Sequence, residues 1–152
     1  MGFLDAQTFR TVVASTPLVA IDLIVRNENG DVLLGKRKNP PAKDFWFTPG
    51  GRIYKGETME EAFERITEAE LGICVPLSEA SFHGIYEHFY DDSIFGEELS
   101  THYVVVAYNL NAPIISFNKQ EAKDQHDALG WFEPLTFTEK STVHPHVKWY
   151  FQ

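Results

Sequence analysis

Residues 50–73, GGRIYKGETMEEAFERITEAELGI, constrain the fold of this chain more than any other stretch. Two glycines and an arginine lead through a short loop into a segment marked at both ends. Thr58 followed three residues later by Glu61 is a capping box, in which each side chain satisfies a backbone N–H of the other's end of the turn. Gly72 suits the left-handed residue that closes a helix. Between them Ala62, Phe63, Ile66, Ala69 and Ile73 recur at helical spacing and predict one apolar stripe packed on a core. Glu60, Glu61, Glu64 and Glu68, taken alone, are solvated charges, the ordinary state of glutamates on a surface helix.

The elements around this helix read mostly as strands. Asp5 is a candidate N-cap for a short amphipathic helix carrying Phe9, Val12 and Val13, which Pro17 ends. PLVAIDLIV and DVLLGKR are strand-like runs joined through Asn29-Gly30, a pair suited to a tight hairpin. FWFTPGGR predicts a strand running into a glycine turn. SFHGIYEHFY and THYVVVAYNL flank the polar loop DDSIFGEELS, and ALGWF is a last short strand before an aromatic C-terminus, KWYF, read as packing or an oligomer contact. The sum is an α+β fold, a mixed β-sheet sandwiched by helices, in a single domain over residues 1–152. A chain of 152 residues with 43% apolar and 14% aromatic side chains has ample material for one core.

Charge narrows the partners. A net charge of −9 repels nucleic acid and anionic membranes at long range, and no apolar run approaches a membrane span. The start, MGFLDAQTF, has no basic leader region, and a lone Cys74 fits a reducing, cytoplasmic setting. The expected partner is a small molecule, and an anionic one needs a local basic patch. GKRK at 35–38 and Arg52 beside the glycines are the candidates, with Lys36 and Lys38 equally readable as solubilising cations. Asp22 interrupts LVAIDLIV, where an unpaired buried carboxylate would be costly, so it has a partner or contacts ligand hydroxyls.

The spacing Gly51, five residues, Glu57, seven residues, Arg65, and then Glu70-Leu71-Gly72-Ile73 resembles the box of the Nudix hydrolase family. Arg65 is read as the partner of Glu57, bracing loop against helix. The family pattern carries further glutamates where this chain has Ile66 and Ala69, while Glu70 is retained. Positions 66, 69 and 70 are three and four residues apart, on one helical face. One carboxylate is too little for a cluster of divalent ions, so a single Mg²⁺ is expected, with Mn²⁺ as a substitute, completed by uncharged oxygens and ligand phosphate. The thinned helix also lacks the usual water-activating base. DQHDALGW offers Gln125 as a neutral ligand and His126, with a reference pKa near 6.5, as the base; by itself His126 reads as a loop histidine.

Further segments, STPLVAIDLIV, LLGKR, FWFTPGGR, HFYDD, THYVV and QHD, are similar in order to the GDP-mannose mannosyl hydrolase branch of that family. The resemblance implies a Nudix fold and a homodimer. It implies one Mg²⁺ held by the Gly50 carbonyl, Glu70 and Gln125, His126 as general base, and Arg37 and Arg52 assisting departure of GDP. It adds Lys38, Asp22 and Tyr103 as substrate contacts, Tyr103 toward a phosphate, and His88 as a further active-site candidate. The implied reaction releases GDP and sugar from GDP-mannose, and from GDP-glucose, by attack of water at the anomeric carbon with inversion. Two alternatives stay open: a pyrophosphatase cutting between phosphates of a nucleoside diphosphate derivative, and a non-catalytic nucleotide-sugar binder. His83, His102, His144 and His146 are assigned structural roles.

Overall fold

The run LVAIDLIV is apolar at odd and even positions alike, a pattern that suits a strand covered on both faces. The computed structural model, which describes residues 3–111 and 126–152, makes it the central strand. A helix α1 (Ala6–Ser15), N-capped by the Asp5 side chain, precedes this strand, β1 (Leu18–Arg26). Then come β2 (Val32–Arg37), β3 (Trp46–Phe47), β4 (Gly50–Arg52), α2 (Met59–Leu71) and a 3₁₀ turn at Leu77–Glu79. The long pair β5 (Ser81–Tyr90) and β6 (Thr101–Asn111) follows. After the undescribed stretch come β7 (His126–Phe132), a 3₁₀ segment at Pro134–Glu139 and the short α3 (Pro145–Trp149).

The sheet order is β3-β2-β1-β6-β5, with β4 paired to β1 and β7 to β2. It is mixed: β1 runs parallel to β6 along its whole length and antiparallel to β4. The strands β1 and β2 pair only at Arg26 and Val32, beside the turn. There Asn27 Oδ1 accepts the N–H groups of Asn29 and Asp31, and Gly30 takes a φ of 80°, so the connection is an Asx-stabilised loop wider than a two-residue hairpin. Because β1 leaves β2 so early, β4 can insert against its first half. That split opens the cleft described below.

Each face of the sheet has its own core. Ile21, Leu23, Val25, Leu33 and Leu110 pack under Ala62, Phe63, Ile66 and Leu71 of α2. Ile24, Val32, Leu34, Phe47 and Ala107 pack under Phe137, Val143, Val147 and Tyr150 of the C-terminal segment. The capping box and the left-handed Gly72 (φ 75°) bound α2 as its sequence predicts, the cap contributing about 1 kcal/mol. Its buried stripe is displaced from the predicted one: Ile66 is 1% exposed, but Ala69 faces solvent, and Thr67 and Glu70 are turned inward. A carboxylate at 69 would therefore stand at the rim rather than beside a buried Glu70.

Two other expectations are corrected. Gly50 and Gly51 are extended strand residues and form no turn. Close approach is what demands glycine here: a methyl on Gly50 would collide with Asp22 Oδ1 and the Ile21 carbonyl, and one on Gly51 would sit 3.1 Å from Ile66 Cγ1. His126, expected in a loop, opens β7, where its Cα pairs with that of Arg37; strand pairing to β2 extends further upstream than ALGWF indicates. Among the described residues no helix is long and apolar enough to cross a membrane.

Candidate active site

Strand alternation decides which residues meet. On β1, Ala20, Asp22 and Ile24 share the face opposite Ile21 and Leu23. The parallel register sets Ala20 against Val105, and the β5–β6 register sets His88 against Tyr103. Ala20, Asp22, His88, Tyr103 and Val105 floor a cavity of about 80 Å³, rimmed by Arg37, Thr48, Gly50, Gly51, Arg52, Glu70 and Tyr90. Of the candidates read from sequence, Asp22, Arg37, Gly50, Arg52, Glu70, His88 and Tyr103 line this one space. A second cavity of about 150 Å³ adjoins it, sharing Arg37, Pro41 and Tyr103 and walled by Phe9, Val13 and Leu18. The enclosed depth takes a phosphoryl- or hydroxyl-sized group, and a longer ligand extends into the adjoining groove.

The cations are held in fixed orientations. Arg37 donates through Nε to the Pro41 carbonyl at 2.7 Å. The Arg52 guanidinium carbon lies 4.8 Å from the ring centre of Phe9 and 4.9 Å from that of Tyr54. Its carbonyl accepts from Arg65 at 2.8 Å, and Arg65 bridges to both oxygens of Glu57 at 2.7 and 2.9 Å, as the sequence predicts. Glu57 also accepts the Tyr54 N–H, and its carboxyl is held below the usual range first by the Arg65 hydrogen bonds. The glutamate–arginine pair of the box is thus a brace on the end of β4, where Arg52 stands, and on the loop that follows it. Lys38 is not among the residues lining either cavity.

Asp22 is 6% exposed. Its Oδ2 accepts from Thr48 Oγ1 at 3.1 Å and, by a short hydrogen bond, from the Tyr150 hydroxyl. Burial pushes its carboxyl up to about 6, against the pull of those two hydroxyls and of Arg37. His88 is fully buried, its ring stacked on His146 with centres 4.3 Å apart and its Nε2 3.3 Å from the Tyr150 oxygen. Burial, then the neighbouring His146 and His144, lowers it to about 3, so it is neutral at pH 7. Burial likewise raises Tyr103, opposed by the charges of Arg37 and Arg52. His144 and His146, assigned structural roles from sequence, do pack in this layer beside His88. Thr48, Tyr90 and Tyr150 were missed. Tyr150 is 128 residues from Asp22, and nothing local in KWYF announces that contact.

Glu70 supplies the remaining chemistry. It is 6% exposed at the inner side of α2, and its Oε1 accepts the Gly50 N–H at 3.1 Å. A buried helix carboxylate that accepts from the main chain of β4 at the cleft suits a hard divalent cation. Among the described residues no three His, Cys, Asp or Glu side chains gather as a metal cluster. Gln125, the amide expected there, lies outside the described residues. Of His126 the backbone alone is described, opposite Arg37.

Residues 16–152 match the NUDIX domain. The chain is 39% identical over 142 residues to the low-salt glycan biosynthesis protein Agl8 of Haloferax volcanii, covering 93% of this chain and 85% of that one. It is 41% identical over 70 residues to an ADP-ribose pyrophosphatase of Methanocaldococcus jannaschii, a match spanning 46% of this chain and 40% of that protein. The fold superposes on the crystal structure of a MutT NUDIX hydrolase from Burkholderia pseudomallei with a TM-score of 0.69 and 28% identity, over 90% and 96% of the two chains.

Proposed function

The chain belongs to the Nudix hydrolase family, and from that premise we propose that it is a Mg²⁺-dependent hydrolase of GDP-mannose, and of GDP-glucose, releasing GDP and free sugar. The observation that carries the proposal is the thinning of the α2 carboxylates: position 66 is core isoleucine, position 69 is exposed alanine, and Glu70 alone reaches the cleft. A site with one helix carboxylate suits charge stabilisation of a departing diphosphate better than assembly of several ions around a phosphorus atom. The relative named for glycan biosynthesis supports a sugar-bearing substrate.

In this scheme Arg37 and Arg52 contact the diphosphate, with Tyr103 beside them and Lys38 further out. Asp22 accepts from a sugar hydroxyl. His126 takes a proton from the attacking water as its oxygen bonds to the anomeric carbon and the bond from that carbon to the β-phosphate oxygen breaks. The electron pair leaves with GDP, where the two guanidiniums offset it, and an α-linked sugar is released first as the β-anomer. Glu70, the Gly50 carbonyl and Gln125 would hold Mg²⁺, with Mn²⁺ as a substitute, which neutralises diphosphate charge when bound. His88 maintains the polar wall rather than moving a proton, since its burial keeps it neutral. We place the protein in the cytoplasm as a homodimer on the same reading.

The alternative is cleavage between phosphates, favoured by the partial match to a pyrophosphatase. Hydrolysis of GDP-mannose with Mg²⁺ in ¹⁸O-labelled water separates the two. Label in mannose with unlabelled GDP is the expected result. Label in GMP or mannose phosphate would establish the pyrophosphatase, and binding without turnover a sensor.

A further inference from the structure

Tyr150 is 2% exposed, sits just beyond α3, and is fixed from every side. Its carbonyl accepts from His83 Nε2 at 2.7 Å, and since a carbonyl only accepts, that nitrogen carries the proton while Nδ1 takes the Asn109 amide at 3.0 Å. Its ring packs edge-on against Tyr86, centres 4.7 Å apart. Its single hydroxyl proton goes to Asp22 Oδ2, so the 3.3 Å contact with His88 Nε2 has the histidine donating and the phenol oxygen accepting. The result is a directed chain from His88 N–H through Tyr150 O–H to Asp22.

The two oxygens of Asp22 are treated differently. Oδ2 holds both hydroxyls, from Thr48 and Tyr150. Oδ1 lies on the Gly50 side, where absence of a Cβ leaves room, and the residue lines the cavity. An aspartate left to itself turns broadly about its last torsion. Here the torsion is set by two donors on one oxygen, which leaves the other beside Gly50, itself a lining residue of the cleft.

We propose that Tyr150, assisted by Thr48, is a positioning residue that aims Asp22 Oδ1 at a hydroxyl donor on the ligand, making the C-terminal segment a determinant of specificity for the sugar end over the diphosphate end. This rests on the sugar-nucleotide reading, and the experiment keeps the two apart. The kcat/KM for GDP-mannose, the affinity for GDP and the melting temperature are measured for the wild type, Tyr150→Phe, Thr48→Val, Asp22→Asn and the Tyr150→Phe/Asp22→Asn double variant. Loss of one hydrogen bond to a charged group through an intermediary is expected to lower kcat/KM about 10-fold in Tyr150→Phe and less in Thr48→Val. Affinity for GDP, which has no sugar, stays within about two-fold, and Tyr150→Phe adds nothing once Asp22 is Asn. Thr48→Val carries the test if Tyr150→Phe does not fold. Equal losses for GDP and GDP-mannose, or effects of Tyr150 and Asp22 that multiply, would reduce Tyr150 to packing and overturn the proposal. If the wild type binds GDP-mannose without cleaving it in this way, the function fails but the same coupling is read from the ratio of GDP-mannose to GDP affinities; no preference of the wild type for the sugar nucleotide overturns the positioning role as well.

Discussion

The two faces of the sheet part company within β1, residue by residue. Ile21, Leu23 and Val25 go to the α2 side, into aliphatic packing filled out by a fully buried Phe63. Ala20, Asp22 and Ile24 go to the C-terminal side, where Thr48, His88, His146 and Tyr150 are buried within a layer of rings. On the first face position is set by volume, which many apolar combinations satisfy. On the second it is set largely by directed hydrogen bonds, as in the chain from His88 through Tyr150 to Asp22, although the buried His146 Nδ1 has no hydrogen-bond partner among the described residues. One strand therefore serves a tolerant, stabilising layer and an exacting, chemical one, and the polar exceptions on the α2 side are informative. Thr67 is spent locally, donating to the Glu64 carbonyl and accepting from Val75, whereas Glu70 is turned to the cleft.

That division makes Phe63→Ala the largest expected effect: a loss of about 3–5 kcal/mol in unfolding free energy from urea titration, with kcat/KM of the folded protein within about two-fold of wild type. A fall in activity at intact stability would erase the distinction between the faces. Glu70→Gln tests the exception. It should lower Mg²⁺-dependent turnover about 10- to 100-fold while the urea midpoint holds or rises, because a buried charge is removed. A variant that keeps full rate would return Glu70 to the structural side.

A further effect is in pH dependence, and it centres on the C-terminal face. Burial holds His88 at about 3 and His144 and His146 at about 4, below their ordinary 6.5. Between those values the unfolded chain carries more protons, so their contribution to stability is full above pH 6.5 and is lost as pH falls toward 4. Asp22 works the other way: raised from 3.8 to about 6, it is protonated in the folded state first and offsets part of the loss. The net expectation is uptake of about two protons on unfolding near pH 5, one for each histidine less that of Asp22. Melting temperatures that stay flat from pH 7 to 5 would mean that these histidines titrate normally.

What could be read in advance follows the same line. The caps of α2, the long β5–β6 pair and the Glu57–Arg65 brace depend on neighbours in sequence or on a fixed register, and the residues name them. Asp22, Arg37, Arg52, Glu70, His88 and Tyr103 were singled out, and one cavity gathers them. The glycines of β4 were misjudged because glycine marks turns and close approaches alike, and only the distance to Asp22 and Ile66 tells which. Ala69 was assigned inward because a small apolar residue fits either side of a stripe. Tyr150 was out of reach since its meaning lies in a carboxylate at the opposite end of the chain.

That span also orders events during synthesis. At roughly 5–20 residues per second, the 128 residues between Asp22 and Tyr150 take a ribosome about 6 to 26 s. Throughout that interval β1 exposes a carboxylate whose burial has no phenol to offset it, so its C-terminal face stays hydrated. The side destined for α2 has its buried residues in hand by Leu110, with Leu129 of β7 packing against them later, and can largely close meanwhile. The layer behind the cleft is thus completed only when the last aromatic turn brings the Tyr150 hydroxyl to Asp22.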